Sequence, residues 1–117
     1  MEDFLHAYIA CALWSSTDED GEPLDALYSA DDLAPEAIES MREDCEDFQA
    51  ANAVDLDATG ATDAQNGHDF WLTRNGHGAG FWDRGYDDDL GERLTNAAHA
   101  YGSSDLYVGD DGVLYVS

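Results

Sequence analysis

Five carboxylates dominate the chemistry that this sequence offers. Glu36, Glu39, Glu43, Glu46 and Asp47 recur mostly at steps of three and four, the spacing that gathers side chains on one side of a helix turning ~100° per residue. Neighbours in such a row stand roughly 5–6 Å apart along the axis. Like charges placed this way destabilise a helix by a few tenths of a kcal/mol per pair, and Arg42 alone is near enough to offset them. A sequence shaped for stability alone would alternate signs. Two readings stay open: a solvated face of an acidic protein, or a row of fixed charge for a cationic partner. Asp18, Glu19, Asp20, Asp31 and Asp32 add further acid in the preceding loop.

A second oxygen-rich pattern is Asp55-x-Asp57-x-Thr59-Gly60-x-x-Asp63-x-x-Asn66. It places oxygen ligands at positions 1, 3, 5 and 9 of a calcium loop, with glycine at 6. Asn66 stands where a bidentate glutamate belongs, and Thr62 replaces the usual apolar residue at position 8. The pattern is therefore a weak calcium candidate, and no cofactor is expected. His6, His68, His77 and His99 show no metal-ligand spacing. Ser15, Ser16 and Ser103 lack a nucleophile-elbow context, and there is no phosphate-binding glycine loop. Carboxylates are so frequent that no pair marks itself as general acid and base. No catalytic residue is assigned.

A third feature is aromatic. If Asp69–Arg74 and Ala79–Arg84 are strands, alternation puts Phe70 and Leu72 on one face and Trp71 on the other, and likewise sets Phe81 against Trp82. The second face would carry Trp71 and Trp82 flanked by Arg74 and Arg84, with His77 in the connecting glycine turn. Tryptophan and arginine are enriched at binding hot spots. The competing reading is that the N-terminal segment covers both faces.

These groups need elements to hold them. Residues 3–14 read as a helix with Phe4, Leu5, Tyr8, Ile9 and Ala12 on one face. Residues 15–32 read as a long acidic loop pinned by Leu24, Leu27 and Tyr28. The second helix begins at Pro35, a residue suited to the first helical position. Its apolar stripe is Ala34, Ile38, Met41, Cys45 and Phe48. Residues 53–67 read as a polar loop, followed by a hairpin turning at Asn75-Gly76-His77-Gly78. A third helix is expected at 88–101, with Asp87, Asp88 and Asp89 capping its start. A second hairpin runs over 105–116. The predicted fold is α+β: two N-terminal helices, then a ββαββ unit with an antiparallel four-stranded sheet, in one domain over residues 1–117.

Composition narrows the function classes. The 117 residues carry 27 acids and 4 bases, a net charge of −23, with no lysine. Such a chain repels nucleic acid and anionic lipid, so direct nucleic-acid and membrane binding are not expected. Residues 1–66 hold 18 acids and one arginine, which favours a dedicated acidic face over uniform salt adaptation. The N-terminus, Met1-Glu2-Asp3, precedes its apolar segment without basic residues, so no secretory signal is expected. Cys11 and Cys45 read as reduced core thiols, with a disulfide as the alternative.

The run His68-Asp69-Phe70-Trp71-Leu72-Thr73-Arg74-Asn75-Gly76-His77-Gly78-Ala79-Gly80-Phe81-Trp82-Asp83-Arg84-Gly85 resembles small acidic proteins of tailed bacteriophages and prophages. Leu94-Thr95, Tyr101-Gly102, Tyr107-Val108-Gly109-Asp110-Asp111-Gly112 and Ala12-Leu13-Trp14-Ser15-Ser16-Thr17-Asp18 with Gly21-Glu22-Pro23-Leu24-Asp25 extend it. That resemblance implies a viral origin and carries no activity with it. The missing lysines and the Val116-Ser117 ending depart from the pattern and agree with a salt-rich host. The expectation is a binding protein of the host cytoplasm that imitates nucleic acid and inhibits a host nucleic-acid-binding protein. The alternatives are a salt-adapted structural or assembly protein and a calcium-binding module. Oligomeric state is not legible.

Overall fold

The computed structural model describes residues 3–76, 80–87 and 89–117. Two helices form where their periodicity predicts. Helix α1 (Asp3–Ser15) buries the marked stripe Phe4, Leu5, Tyr8, Ile9 and Ala12. Helix α2 (Pro35–Ala51) starts with its proline and buries Ala37, Met41, Cys45 and Phe48. The intervening acidic segment folds into two short 3-10 turns, Leu24–Ala26 and Ala30–Asp32.

Residues 53–84 overturn the expected sheet. Ala53–Ala58 is a short helix, α3, and Asp63–Arg74 is helix α4. The supposed polar loop 53–67 and the supposed strand 69–74 are thus largely helical. Thr62 caps α4, its Oγ1 accepting the Gln65 N–H at 3.1 Å. Asn66, Gly67 and every residue from Asp69 to Arg74 are buried. A helix covered on nearly all sides has no polar side to set its rhythm, and a short apolar run such as Phe70-Trp71-Leu72 then passes for a strand. The second supposed strand holds a 3-10 turn, Phe81–Asp83. Asn75 and Gly76 close α4 as a turn, while His77, Gly78 and Ala79 of the expected hairpin lie outside the described residues.

Helix α5 (Leu90–His99) is shorter than expected. Asp89 occupies its N-cap position but makes no side-chain cap hydrogen bond, and Asp88 lies outside the described residues. The C-terminal hairpin does form, from β1 (Leu106–Val108) and β2 (Leu114–Val116), antiparallel with Tyr107 opposite Tyr115. It is fastened to the start of α2, where the Ala34 N–H donates to the Leu114 carbonyl at 2.9 Å. Among the described residues the fold is five α-helices and one two-stranded sheet, not a four-stranded α+β unit.

The core lies between α1, α2 and α4. Phe48 and Phe70 stack with ring centroids 4.0 Å apart and planes 9° from parallel. Phe4, Tyr8, Phe81 and Tyr101 surround that pair. Helices α1 and α4 approach so closely at Gly67 that a Cβ there would lie 2.1 Å from the Phe4 carbonyl oxygen. Cys11 and Cys45 are buried and are not joined in a disulfide.

Candidate functional site

The acidic row is carried by α2, and its rigidity comes from the opposite side of that helix. Met41, Cys45 and Phe48 are locked into the core, so Glu36, Glu39, Glu43, Glu46 and Asp47 are all held exposed along about 16 Å of axis. Arg42 Nη1 meets Glu39 Oε2 at 2.7 Å and neutralises that position. Asp47 accepts a hydrogen bond from the Tyr101 hydroxyl. Glu36, Glu43 and Glu46 make no ion pair among the described residues.

The loop acids do other work. Asp18 Oδ1 accepts the N–H groups of Asp20 and Glu22 at 2.9 and 3.0 Å, closing a turn. Asp32 Oδ2 accepts the Ser29 N–H at 2.8 Å and completes a capping box. Asp31 is exposed on the same 3-10 turn. Asp18, Glu19 and Asp20 gather with Asp110 around a separate hollow of about 420 Å³ beside the C-terminal hairpin.

The proposed aromatic and arginine surface is not formed. Trp71 is buried on α4, with Nε1 donating to Ser15 Oγ at 2.8 Å. Arg74 is buried as well. Its guanidinium donates to the Tyr8 hydroxyl at 2.9 Å, Asp44 Oδ2 at 2.8 Å, and the carbonyls of Gly102 and Tyr101 at 2.9 and 3.0 Å. It joins α1, α2 and the segment after α5. Trp82 is exposed, and His77 lies outside the described residues. A helix, unlike a strand, turns Trp71 and Arg74 both inward here, which is why the surface expected from alternation does not arise.

The calcium pattern does not become a calcium loop. Asp55 and Asp57 sit on α3, and Asp55 is gripped by Arg93 through bonds of 3.1 and 3.0 Å. Thr59 Oγ1 donates to the Leu56 carbonyl at 2.7 Å. Asp63 begins α4. Asn66 is buried, and its Oδ1 has no partner among the described residues. That oxygen has almost no solvent-accessible surface, although Asn66 lines a hollow of about 420 Å³. Among the described residues no three His, Cys, Asp or Glu side chains come together as a metal site.

Two buried groups bear on reactivity. Burial, assisted by the Asp69 carboxylate, pushes the Cys11 thiol up to about 12, which keeps it protonated and inert at neutral pH. Burial likewise raises the Tyr8 phenol well above its ordinary value, against the opposing pull of Arg74.

A cleft of about 710 Å³ lies between the end of α1, the C-terminal end of α4 and the approach to β1. Ser15, Ser16 and Thr17 form one wall, and Ser103, Ser104 and Asp105 another. Trp71, Asn75 and Tyr107 complete its lining along with Leu106 and Ser117. Sequence reasoning missed it, because its walls come from segments far apart in the chain.

Protein-family models, curated proteins and solved structures contain no match to this chain. Among the described residues no helix is long and apolar enough to cross a membrane.

Proposed function

We propose that the protein is an acidic binding protein whose α2 carboxylates stand in for a nucleic-acid backbone and occupy the cationic site of a host DNA- or RNA-binding protein. The observation that carries this reading is the exposed trio Glu36, Glu43 and Glu46, without an ion pair among the described residues, on a helix whose other side is fixed in the core. One strand of B-DNA carries a charge about every 3.4 Å. Five carboxylates over about 16 Å approach that density, and four remain uncancelled by an arginine. Encounter would be electrostatically steered and would weaken steeply with salt. The resemblance to phage proteins supports an inhibitor acting in the host cytoplasm.

The test is capture from host lysate, eluted with rising salt, by the wild type and by the triple variant Glu36→Gln, Glu43→Gln, Glu46→Gln. The variant is expected to lose its partner and to keep its circular dichroism spectrum. Undiminished capture rejects the reading. The acids in the turn at Asp18–Glu22 and on α3 lie outside the row and favour a second reading, a salt-adapted structural protein. The same spectrum in about 50 mM and about 3 M KCl separates the two, since screening over ~3 Å is required only by the second.

A further inference from the structure

The chain has seven serines, and five of them, Ser15, Ser16, Ser103, Ser104 and Ser117, line the one cleft of about 710 Å³. Thr17 adds a sixth hydroxyl, and Tyr107 a seventh on a ring that is 46% exposed. We propose that this cleft binds a neutral carbohydrate.

Its chemistry selects that class. Clefts for small ligands of this volume are ordinarily apolar with a few polar groups; here seven of the eleven lining residues carry a hydroxyl. A hydroxyl is both donor and acceptor, so a wall of them matches a ligand that is itself a sequence of hydroxyls. Among the described residues Asp105 is the only charged side chain of the lining. Its two carboxylate oxygens can accept from neighbouring ligand hydroxyls. Among the described residues no cation lines the cleft, and the molecule around it carries −23, which disfavours phosphorylated, sulfated or uronic ligands. Tyr107 supplies a flat apolar face for the C–H side of a sugar ring. That ring is stacked against Tyr115 at 6.0 Å, and Tyr115 is anchored by donating its hydroxyl to Asp111 Oδ2 at 2.6 Å.

The walls are set before a ligand arrives. The Trp71 Nε1–H donates to Ser15 Oγ at 2.8 Å, which leaves the serine's own hydrogen to donate elsewhere. Asn75 Oδ1 accepts the Ser104 N–H at 2.7 Å, while its Nδ2 donates to the Trp71 carbonyl at 2.9 Å. Ser104 Oγ donates to the Ser117 carbonyl at 3.2 Å. These bonds tie α1, α4, the segment after α5 and the end of β2 around one space, and such preorganisation lowers the entropy lost on binding. Glycoside hydrolysis uses a pair of carboxylates, and the described lining residues supply one carboxylate side chain, so the assigned event is binding without cleavage. It stands apart from the acidic row on α2 and does not rest on that reading.

The experiment is a backbone amide NMR titration of the whole chain with glucose, galactose, mannose, N-acetylglucosamine and their disaccharides, to about 20 mM. At least one of these sugars is expected to give saturable shifts centred on Ser16, Thr17, Ser104, Asp105 and Tyr107, with glucose 6-phosphate weaker than glucose. Tyr107→Ala and Asp105→Asn, both at exposed positions, are each expected to weaken binding by about 10-fold or more, with the rest of the spectrum unchanged. The triple glutamine variant of α2 is expected to bind as the wild type does. Absence of saturable shifts across the whole panel overturns the proposal, as do shifts centred elsewhere or undiminished binding by both single variants.

Discussion

Arg84 holds the fully buried carboxylate of Asp69 with two hydrogen bonds, Nε to Oδ2 at 3.0 Å and Nη2 to Oδ1 at 2.7 Å. Gln65 Nε2 gives Oδ1 a third donor at 3.0 Å. The pair clamps the 3-10 turn at Phe81–Asp83 onto α4. Breaking a buried ion pair by removing one partner costs about 3–5 kcal/mol, and the partial exposure of Arg84 places this pair at the lower end. Asp69→Asn should therefore lower the unfolding free energy by about 3 kcal/mol in a urea titration. Adding Arg84→Gln should cost little more, giving a coupling energy well above zero in the double-mutant cycle.

Arg74 is the second fastening. Lysine keeps its charge but not the planar fork that reaches a phenol, a carboxylate and two carbonyls together. Arg74→Lys is expected to destabilise the fold by about 2–4 kcal/mol, because buried acceptors lose their donors. A urea midpoint equal to that of the wild type would show that the network contributes nothing.

The contact between α1 and α4 depends on a missing side chain. A methyl group at Gly67 would lie 2.1 Å from the Phe4 carbonyl oxygen, and a backbone atom cannot swing aside. Gly67→Ala should cost about 2–3 kcal/mol, at the upper end for overpacking, although alanine is the better helix former by about 1 kcal/mol. A thermal midpoint unchanged or raised would contradict this packing.

Alkaline pH should unfold the protein. Burial raises Tyr8 and Tyr101, the latter also through its bond to Asp47. The hydrogen bond to Asp111 is the main cause that pushes Tyr115 up to about 12. Above pH ~10 the unfolded chain releases these phenolic protons while the folded chain still holds them. The stability they provide is thus complete below that pH and declines as pH rises through the folded values. Phenolate absorbance of the native protein should lag behind that of the urea-unfolded chain, and the urea midpoint should fall steadily above pH ~10. Coincident absorbance curves would refute it.

Legibility followed one-sidedness. Helices α1 and α2 each bury a stripe, and Tyr8, Met41 and Phe48 stand where the 3.6-residue period puts them. The C-terminal hairpin is readable because Leu-Tyr-Val repeats on either side of Gly109–Gly112. Helix α4 is not, since burial of Asp69, Phe70, Trp71, Leu72 and Arg74 erases the contrast that periodicity needs. One signal was available: Thr62 with Gln65 three residues on has the form of a capping box. The position of Arg74 also follows a step of four from Asn66 through Phe70 once that helix is granted. The hydroxyl cleft had no local signature. Ser15-Ser16 and Ser103-Ser104 are neighbours because both meet the end of α4, where Trp71 bonds Ser15 and Asn75 bonds Ser104.

Every arginine in the molecule is bonded to one of its own carboxylates, and there is no lysine. The protein therefore has almost nothing of opposite sign to offer a second molecule of itself. Two copies meeting in dilute buffer would drift apart however they tumbled, and crowding them would demand salt before it produced any association.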